Sequence, residues 1–88
     1  MRFIKDIPHP QFRIGWYAWN GKQILKIEAG PYEQTYKVAD LDLTDPADVP
    51  ALLDDAFLER VSNRFRDMDA DWTATLGRVM NRSAGADE

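Results

Sequence analysis

The dipeptide Asn20-Gly21 lies between two runs that are rich in aromatic and β-branched residues, at positions 13–19 and 22–28. Asn-Gly favours a type I′ turn, because both central residues of that turn need positive φ angles. A two-residue turn fixes which residues face each other across the hairpin, and this pairing assigns every side chain to one face of the sheet. The dipeptide therefore constrains the fold more than any other feature of the chain.

The pairing predicted outward from this turn begins with Trp19 opposite Lys22 and ends with Arg13 opposite Glu28. One face of the hairpin is then apolar and is expected to point at the core, with Ile14, Trp16, Leu25 and Ile27. The other face is aromatic and charged, with Arg13, Tyr17, Trp19, Lys22, Ile24, Lys26 and Glu28. Only the second face has a composition that suggests a binding role.

The segments on either side of the hairpin extend it into an antiparallel meander. A first strand is expected over residues 3–7, before the extended segment Pro8-His9-Pro10. A turn at residues 29–32 leads to a further strand over 33–38, and loops of two, three or four residues all fit this turn. Two cap-and-proline signals, at 44–46 and 48–50, predict a short helical turn over about residues 46–53.

The C-terminal half carries a single apolar stripe whose members are three or four residues apart: Leu58, Val61, Phe65, Met68, Trp72, Leu76 and Val79. This spacing predicts one amphipathic helix of about six to seven turns over residues 55–81. A break near Asp67-Met68-Asp69, which would give two helices, is the alternative. Residues 83–88 are expected to form a disordered tail.

Strands followed by a helix predict an α+β fold. We expect an antiparallel β-meander of three to four strands, then a short helical turn and one long C-terminal α-helix packed on the sheet. With 88 residues, of which 44% are hydrophobic, the chain is expected to form a single domain over residues 1–82.

A homodimer is expected for two reasons. The predicted helix is longer than the predicted strands, and its apolar spacing is close to the 3.5-residue period at which helices pair. Small domains also gain buried surface by pairing with a copy of themselves. The predicted dimer contact is a sheet edge or the helix end, the latter through Met68, Trp72, Leu76 and Val79.

Charge is distributed unevenly along this acidic chain of net charge −4. Residues 1–38 hold six Lys/Arg against three Asp/Glu, whereas residues 39–88 hold five against twelve. Such an acidic chain is a poor general nucleic-acid binder, because phosphate contacts dominate that affinity. With no cysteine, no signal-like segment and no apolar run long enough to cross a membrane, we expect a cytoplasmic protein with no membrane partner.

Catalytic and ion-binding motifs find little support in the sequence. His9 is the only histidine, and it has no nucleophile or metal ligand nearby in the chain. The acidic run at residues 67–71 begins like a calcium loop, but Trp72 and Arg78 stand where that loop requires glycine and glutamate. The glycines near the hairpin turn have the wrong spacing for a phosphate-binding loop. We therefore expect no enzymatic activity, no metal and no cofactor.

The candidate partner-binding or nucleic-acid-binding residues are Arg13, Tyr17, Trp19, Lys22 and Lys26. Aromatic rings that stack on bases, next to cations that meet phosphates, are what single-strand nucleic-acid binding on a sheet requires. Similar cross-strand aromatic pairs also stabilise hairpins that bind nothing. The leading hypothesis is a small interaction domain whose exposed sheet face or edge meets a protein partner. Single-stranded nucleic-acid binding is the first alternative, and a small enzyme or enzyme subunit is the second.

Four segments of the chain carry a resemblance: Ile7-Pro8-His9-Pro10, Trp19-Asn20-Gly21-Lys22, Ile27-Glu28-x-Gly30-Pro31 and Glu33-Gln34-Thr35-Tyr36-Lys37. In these segments the chain resembles a set of short uncharacterised bacterial proteins, over most of residues 7–72, and this resemblance implies no particular activity. At the level of fold, a meander with one C-terminal helix also resembles the PC4/Pur/Whirly type of single-strand nucleic-acid binders. That second resemblance implies nucleic-acid binding on the sheet.

Overall fold

The computed structural model describes residues 1–86. It contains four strands, β1 (Arg2–Ile7), β2 (Arg13–Trp19), β3 (Lys22–Ala29) and β4 (Tyr32–Ala39), then two short 3-10 segments (Asp40–Asp42 and Pro46–Leu52) and one helix, α1 (Asp55–Ala86). The strands form a single antiparallel sheet in the order β1-β2-β3-β4. The predicted α+β fold, a meander followed by a short helical turn and one long C-terminal helix, is confirmed.

The hairpin of β2 and β3 has the register that the Asn-Gly turn predicts, from Trp19 opposite Lys22 to Arg13 opposite Glu28. Asn20 and Gly21 have φ angles of 53° and 74°, as a type I′ turn requires. The four residues predicted for the core face are all buried: Ile14, Trp16, Leu25 and Ile27. The division of the hairpin into two faces is therefore confirmed.

The second hairpin is closed by a two-residue loop, because Ala29 lies opposite Tyr32. Gly30 takes a φ of 60° at the first loop position, and Pro31 restricts the second position to a negative φ. This combination fits a type II′ turn, whose twist matches that of the flanking strands. The structure thus selects the shortest of the three loop lengths that the sequence allows.

A single helix runs through residues 67–69, so the predicted continuous helix is confirmed and the break is not present. Val61 and Phe65 of this helix join the core, together with Val49 from the second 3-10 segment. The helix has 32 residues and is about 48 Å long, whereas the eight residues of β4 span about 27 Å. The helix therefore extends well beyond the sheet, and the molecule measures 61 × 27 × 20 Å.

The C-terminal boundary of the helix lies at Ala86, beyond the predicted end of the domain at residue 82. The segment 83–88, expected to form a disordered tail, falls partly within this helix. Its last two residues, 87 and 88, lie outside the described part of the chain.

Two buried glutamines connect the sheet to the rest of the molecule. Gln23 accepts a hydrogen bond from the indole Nε1 of Trp16 (2.7 Å) and donates one to Oδ1 of Asp40 (2.9 Å). Gln34 of β4 donates to the carbonyl oxygen of Val61 in α1 (3.0 Å). Since a buried amide without partners is costly, these bonds help to fix the linker and the helix against the sheet.

Candidate functional site

The sheet face opposite α1, here called the outer face, carries no helix or strand of the described residues. The strand pairing places Phe3 beside Tyr17, Lys26 beside Thr35 and Lys37 beside Ile24 on this face. Its aromatic and charged members are Phe3, Asp6, Arg13, Tyr17, Trp19, Lys22, Lys26, Glu28, Glu33 and Lys37. All five binding residues predicted from the sequence therefore lie on one surface.

Tyr17 is at the centre of the outer face and is held there from three sides. The ring of Phe3 meets its ring edge-on at 5.4 Å between centroids, and Lys26 Nζ lies 5.2 Å from the Tyr17 ring centre. Beneath it, a Cβ atom at Gly15 would come within 2.9 Å of Tyr17 Cε2. Glycine at position 15 thus allows the Tyr17 ring to lie flat against the backbone of its own strand.

The other predicted binding residues, Trp19, Lys22 and Arg13, lie on the outer face around Tyr17. Trp19 is 51% exposed beside the hairpin turn, with Lys22 opposite it. Arg13 lies at the far end of the strand, opposite Glu28. The structure therefore brings Lys26 onto the Tyr17 ring at the centre of the outer face and places Trp19, Lys22 and Arg13 toward the ends of the two strands.

Two of the depressions in the surface lie on the outer face. One is lined by Phe3, Asp6, Arg13, Gly15, Tyr17, Lys26 and Glu28. The other is lined by Met1, Trp19, Ile24, Lys26, Glu33, Thr35 and Lys37. Ile24 is buried although it points away from the helix, so the outer face has a small apolar centre of its own.

Several members of the outer face were not among the predicted site residues. Phe3 and Asp6 come from β1, whose pairing with β2 shifts at a bulge between Phe3 and Lys5. Nothing in the sequence indicates that bulge, so the contribution of β1 was not predictable. The positions of Glu33 and Lys37 follow from the two-residue loop of the second hairpin, and were predictable once that loop length was chosen.

The charges of the outer face are mixed in sign. Four cations (Arg13, Lys22, Lys26 and Lys37) lie among three carboxylates (Asp6, Glu28 and Glu33). The sheet half of the chain is basic, but this surface is not uniformly positive. It can attract groups of either sign, and it would repel part of any highly charged polyanion.

A second unusual surface lies on α1, on the same stripe of the helix that packs under the sheet. Val61 is 0% exposed there, whereas Trp72, Leu76 and Val79 are 51%, 40% and 50% exposed. We call Met68, Trp72, Leu76 and Val79 the distal stripe. These are the four dimerisation residues predicted from the sequence; the structure leaves Trp72, Leu76 and Val79 exposed, whereas Met68 is partly buried against the core.

A depression marks the place where α1 leaves the sheet, lined by Pro31, Tyr32, Met68, Asp71, Trp72 and Thr75. At its edge the Tyr32 hydroxyl donates a hydrogen bond to Oδ1 of Asp69 (2.8 Å). This hydrogen bond to a carboxylate raises the pKa of Tyr32 above its ordinary value of 10.0, since ionisation would break the bond and add a second negative charge.

The hydrogen bonds and the ring stacking of His9 join it to neighbouring residues of the loop between β1 and β2. Its Nδ1 accepts hydrogen bonds from the backbone N–H groups of Gln11 (3.1 Å) and Phe12 (3.2 Å), and its ring stacks on that of Phe12. His9 thereby shapes the connection between β1 and β2.

Within residues 1–86, His, Asp and Glu side chains form no cluster of three or more that could hold a metal ion. The same part of the chain contains no helix both long and apolar enough to cross a membrane.

Comparison of the chain with protein-family models, with curated proteins and with solved structures finds no match. A function must therefore be inferred from the chemistry of the outer face and the distal stripe.

Proposed function

We propose that this chain is a small non-enzymatic interaction domain, active as a homodimer, whose outer face meets a protein partner. The observation that carries this proposal is an uncovered sheet face on which aromatic rings lie among charges of both signs. Aromatic and arginine side chains are the residues most enriched in protein interfaces, and charged side chains form the rims of such interfaces. Tyr17 fits the role of an anchor and Trp19, Arg13 and Lys22 fit a rim.

The packing around Tyr17 supports binding at low entropic cost. Phe3, Lys26 and Gly15 already hold its ring in one position, so a partner would not have to order it. A preordered side chain loses less conformational freedom on binding, and more of the contact energy then appears as affinity.

The mixed charges favour a protein partner over a nucleic acid. Asp6, Glu28 and Glu33 lie among the cations, so a chain of phosphates that crossed this face would meet carboxylates as well as cations. A protein surface can offer a complementary pattern of both signs, which gives specificity as well as attraction.

The edge strand β4 offers the same partner a backbone contact. Asp40 N donates to the carbonyl oxygen of Gly21 (2.9 Å), which identifies Lys22 and Ala39 as a pair without mutual hydrogen bonds. By alternation along the strand, the backbone groups of Glu33, Thr35 and Lys37 point outward from the sheet. β4 pairs regularly over eight residues, whereas the other edge, β1, is interrupted by its bulge. A partner strand is therefore more easily added at β4.

Site-specific photo-crosslinking in the cells that produce the chain tests this proposal. A crosslinker at Lys22, on the rim of the outer face, is expected to capture a discrete protein, and one at Asn63, on the exposed side of α1, is not. The capture should be lost in Tyr17→Ala and retained in Leu41→Ala, which truncates an exposed apolar residue of the first 3-10 segment, away from the outer face and from the distal stripe. Equal capture from both positions, or capture that ignores Tyr17, contradicts the proposal.

Single-stranded nucleic-acid binding is the second candidate function. It is favoured by the closeness of Lys26 to the Tyr17 ring and by the exposure of Trp19 beside Lys22. It predicts quenching of Trp fluorescence by oligonucleotides at low salt, weaker quenching as salt rises, and loss of the signal in Trp19→Phe. An absence of quenching at low salt rules this candidate out.

A further inference from the structure

The apolar stripe of α1 keeps a regular heptad spacing after the sheet has ended. Phe65, Met68, Trp72 and Val79 of this stripe, with the polar Thr75 between the last two, are spaced in steps of three and four residues, and such positions face a partner in paired helices. Leu76 of the distal stripe then lies beside this row. The sheet covers Phe65 almost fully but leaves Trp72 and Val79 half exposed. The second half of the stripe therefore has the pattern of a helix pair with only one helix present.

Two opposite charges flank this uncovered half. Asp71 and Arg78 are seven residues apart, so they lie on the same side of the stripe, with the acid nearer the sheet and the base nearer the free end. Arg78 Nη2 donates to Oγ1 of Thr75 (2.9 Å), and that hydroxyl donates to the carbonyl oxygen of Asp71 (2.7 Å). These bonds hold the Arg78 side chain along the stripe, where a neighbouring helix would meet it.

We propose that two copies of this chain pair through their distal stripes, antiparallel about a twofold axis, so that Asp71 of each copy faces the partner's Arg78. In a parallel pair this flank would lie against the opposite flank of the partner helix, where Asp71 would meet the partner's Leu76 and no opposite charge. In an antiparallel pair the equivalent flanks of the two helices face each other and run in opposite directions. Asp71 of each copy then lies beside Arg78 of the other copy. One pattern of two residues thereby makes two ion pairs.

The same antiparallel arrangement also aligns the residues that face each other between the two helices. With Trp72 level with the partner's Thr75, Met68 is level with the partner's Val79. The free end of each helix then reaches the depression beside Pro31 and Tyr32, at the point where the partner's helix leaves its sheet. The outer faces of both copies remain uncovered, so pairing and partner binding are compatible.

The area available indicates a weak dimer. Two helix segments of this length would bury on the order of 1,000 Å² in total, at the low end of specific interfaces. A dissociation constant in the micromolar range, sensitive to the two ion pairs, is the expectation. This inference rests on the homodimer of the proposed function and specifies its geometry.

Single charge-reversal variants of the full-length chain, at Asp71 or at Arg78, test this geometry. Their dimerisation is measured by sedimentation velocity at low salt. Asp71→Arg alone gives two copies that place Arg against Arg, and Arg78→Asp alone places Asp against Asp. Each variant is expected to dimerise about tenfold or more weakly than the original chain. An equimolar mixture of the two variants should dimerise like the original chain, because every pair in the mixed dimer joins Asp to Arg.

Matched controls make the same charge changes on the opposite side of α1, where Glu59→Arg and Arg66→Asp should leave dimerisation unchanged. Circular dichroism checks that every variant keeps its helix. The geometry is overturned if the single variants dimerise normally or if their mixture stays as weak as they are. If none of the four substitutions affects dimerisation, the chain forms a homodimer through another surface, such as the β4 edge, and the proposed helix pairing is wrong. A chain that stays monomeric up to about 500 µM removes both the geometry and the homodimer.

Discussion

The hydroxyl of Tyr32 donates a hydrogen bond to the carboxylate of Asp69, 37 residues later in the chain, over 2.8 Å. Tyr32 begins β4 and Asp69 lies near the middle of α1. The bond therefore ties the sheet to the helix close to the point where the helix extends beyond the sheet. On one side of it the apolar stripe of α1 is covered by the sheet, and on the other side the stripe is open.

The Tyr32–Asp69 bond should be visible in a titration of the phenol. Because the folded state raises the pKa of Tyr32, its stabilising contribution is fully present below the unfolded pKa and is lost as pH rises through the folded pKa. Phenolate absorbance measured against pH, as the difference between the original chain and Tyr32→Phe, isolates this residue. Asp69→Asn should move the transition back toward 10.0, because it removes the carboxylate acceptor. A Tyr32 transition at or below 10.0 in the original chain contradicts the bond.

The same substitution at two positions of the stripe should have two different costs. Val61→Ala opens a cavity under the sheet, where Val61 is fully buried, and should lower the free energy of unfolding by about 2 kcal/mol. Val79→Ala is made on the half-exposed distal stripe and should change it by less than about 0.5 kcal/mol at low protein concentration. Guanidinium unfolding measures both values. Similar losses at the two positions would mean that the distal stripe is covered within the monomer.

This difference between Val61 and Val79 shows what the sequence could not predict. Both valines occupy the same stripe with the same spacing, so periodicity treats them alike. Only the length of the strands relative to the helix decides which one the sheet covers. The hairpin register, in contrast, was predictable in full, because Asn20 and Gly21 fix it locally through their backbone preferences.

The buried polar contacts were also predictable only in part. The predicted register places Gln23 opposite Ala18 on the core side, so a buried amide at that position was implied. Its two partners were not implied, because the Trp16 indole and the Asp40 carboxylate meet it through side-chain conformations that no local pattern encodes. The composition of the outer face was predicted to the same extent: the placement of the β2 and β3 residues on it is confirmed, and the contribution of Phe3 and Asp6 from β1 was missing.

The close approach of Tyr17 to Gly15 predicts a coupled response to mutation. Gly15→Ala places a Cβ atom 2.9 Å from the ring, so Tyr17 must shift, and a loss of about 1 kcal/mol in unfolding free energy is expected. In a Tyr17→Ala background the obstacle is gone and the same change should be neutral or slightly stabilising. Urea unfolding of the four proteins gives the coupling energy. Additive effects of the two substitutions would mean that the ring does not lie over Gly15 in solution.

Gln23 should be among the polar side chains on which the stability of the fold depends most. Gln23→Met keeps the approximate size of the side chain but leaves the Trp16 indole N–H without its acceptor, and Asp40 without a donor. Stranding buried polar groups costs about 1–3 kcal/mol, so a loss of that size is expected in urea unfolding. The exposed residue Gln11 offers the matched control, since Gln11→Met should stay within about 0.5 kcal/mol. In a Trp16→Phe background, which has no indole N–H to strand, Gln23→Met should cost less. An equal cost in both backgrounds would show that the indole does not depend on Gln23.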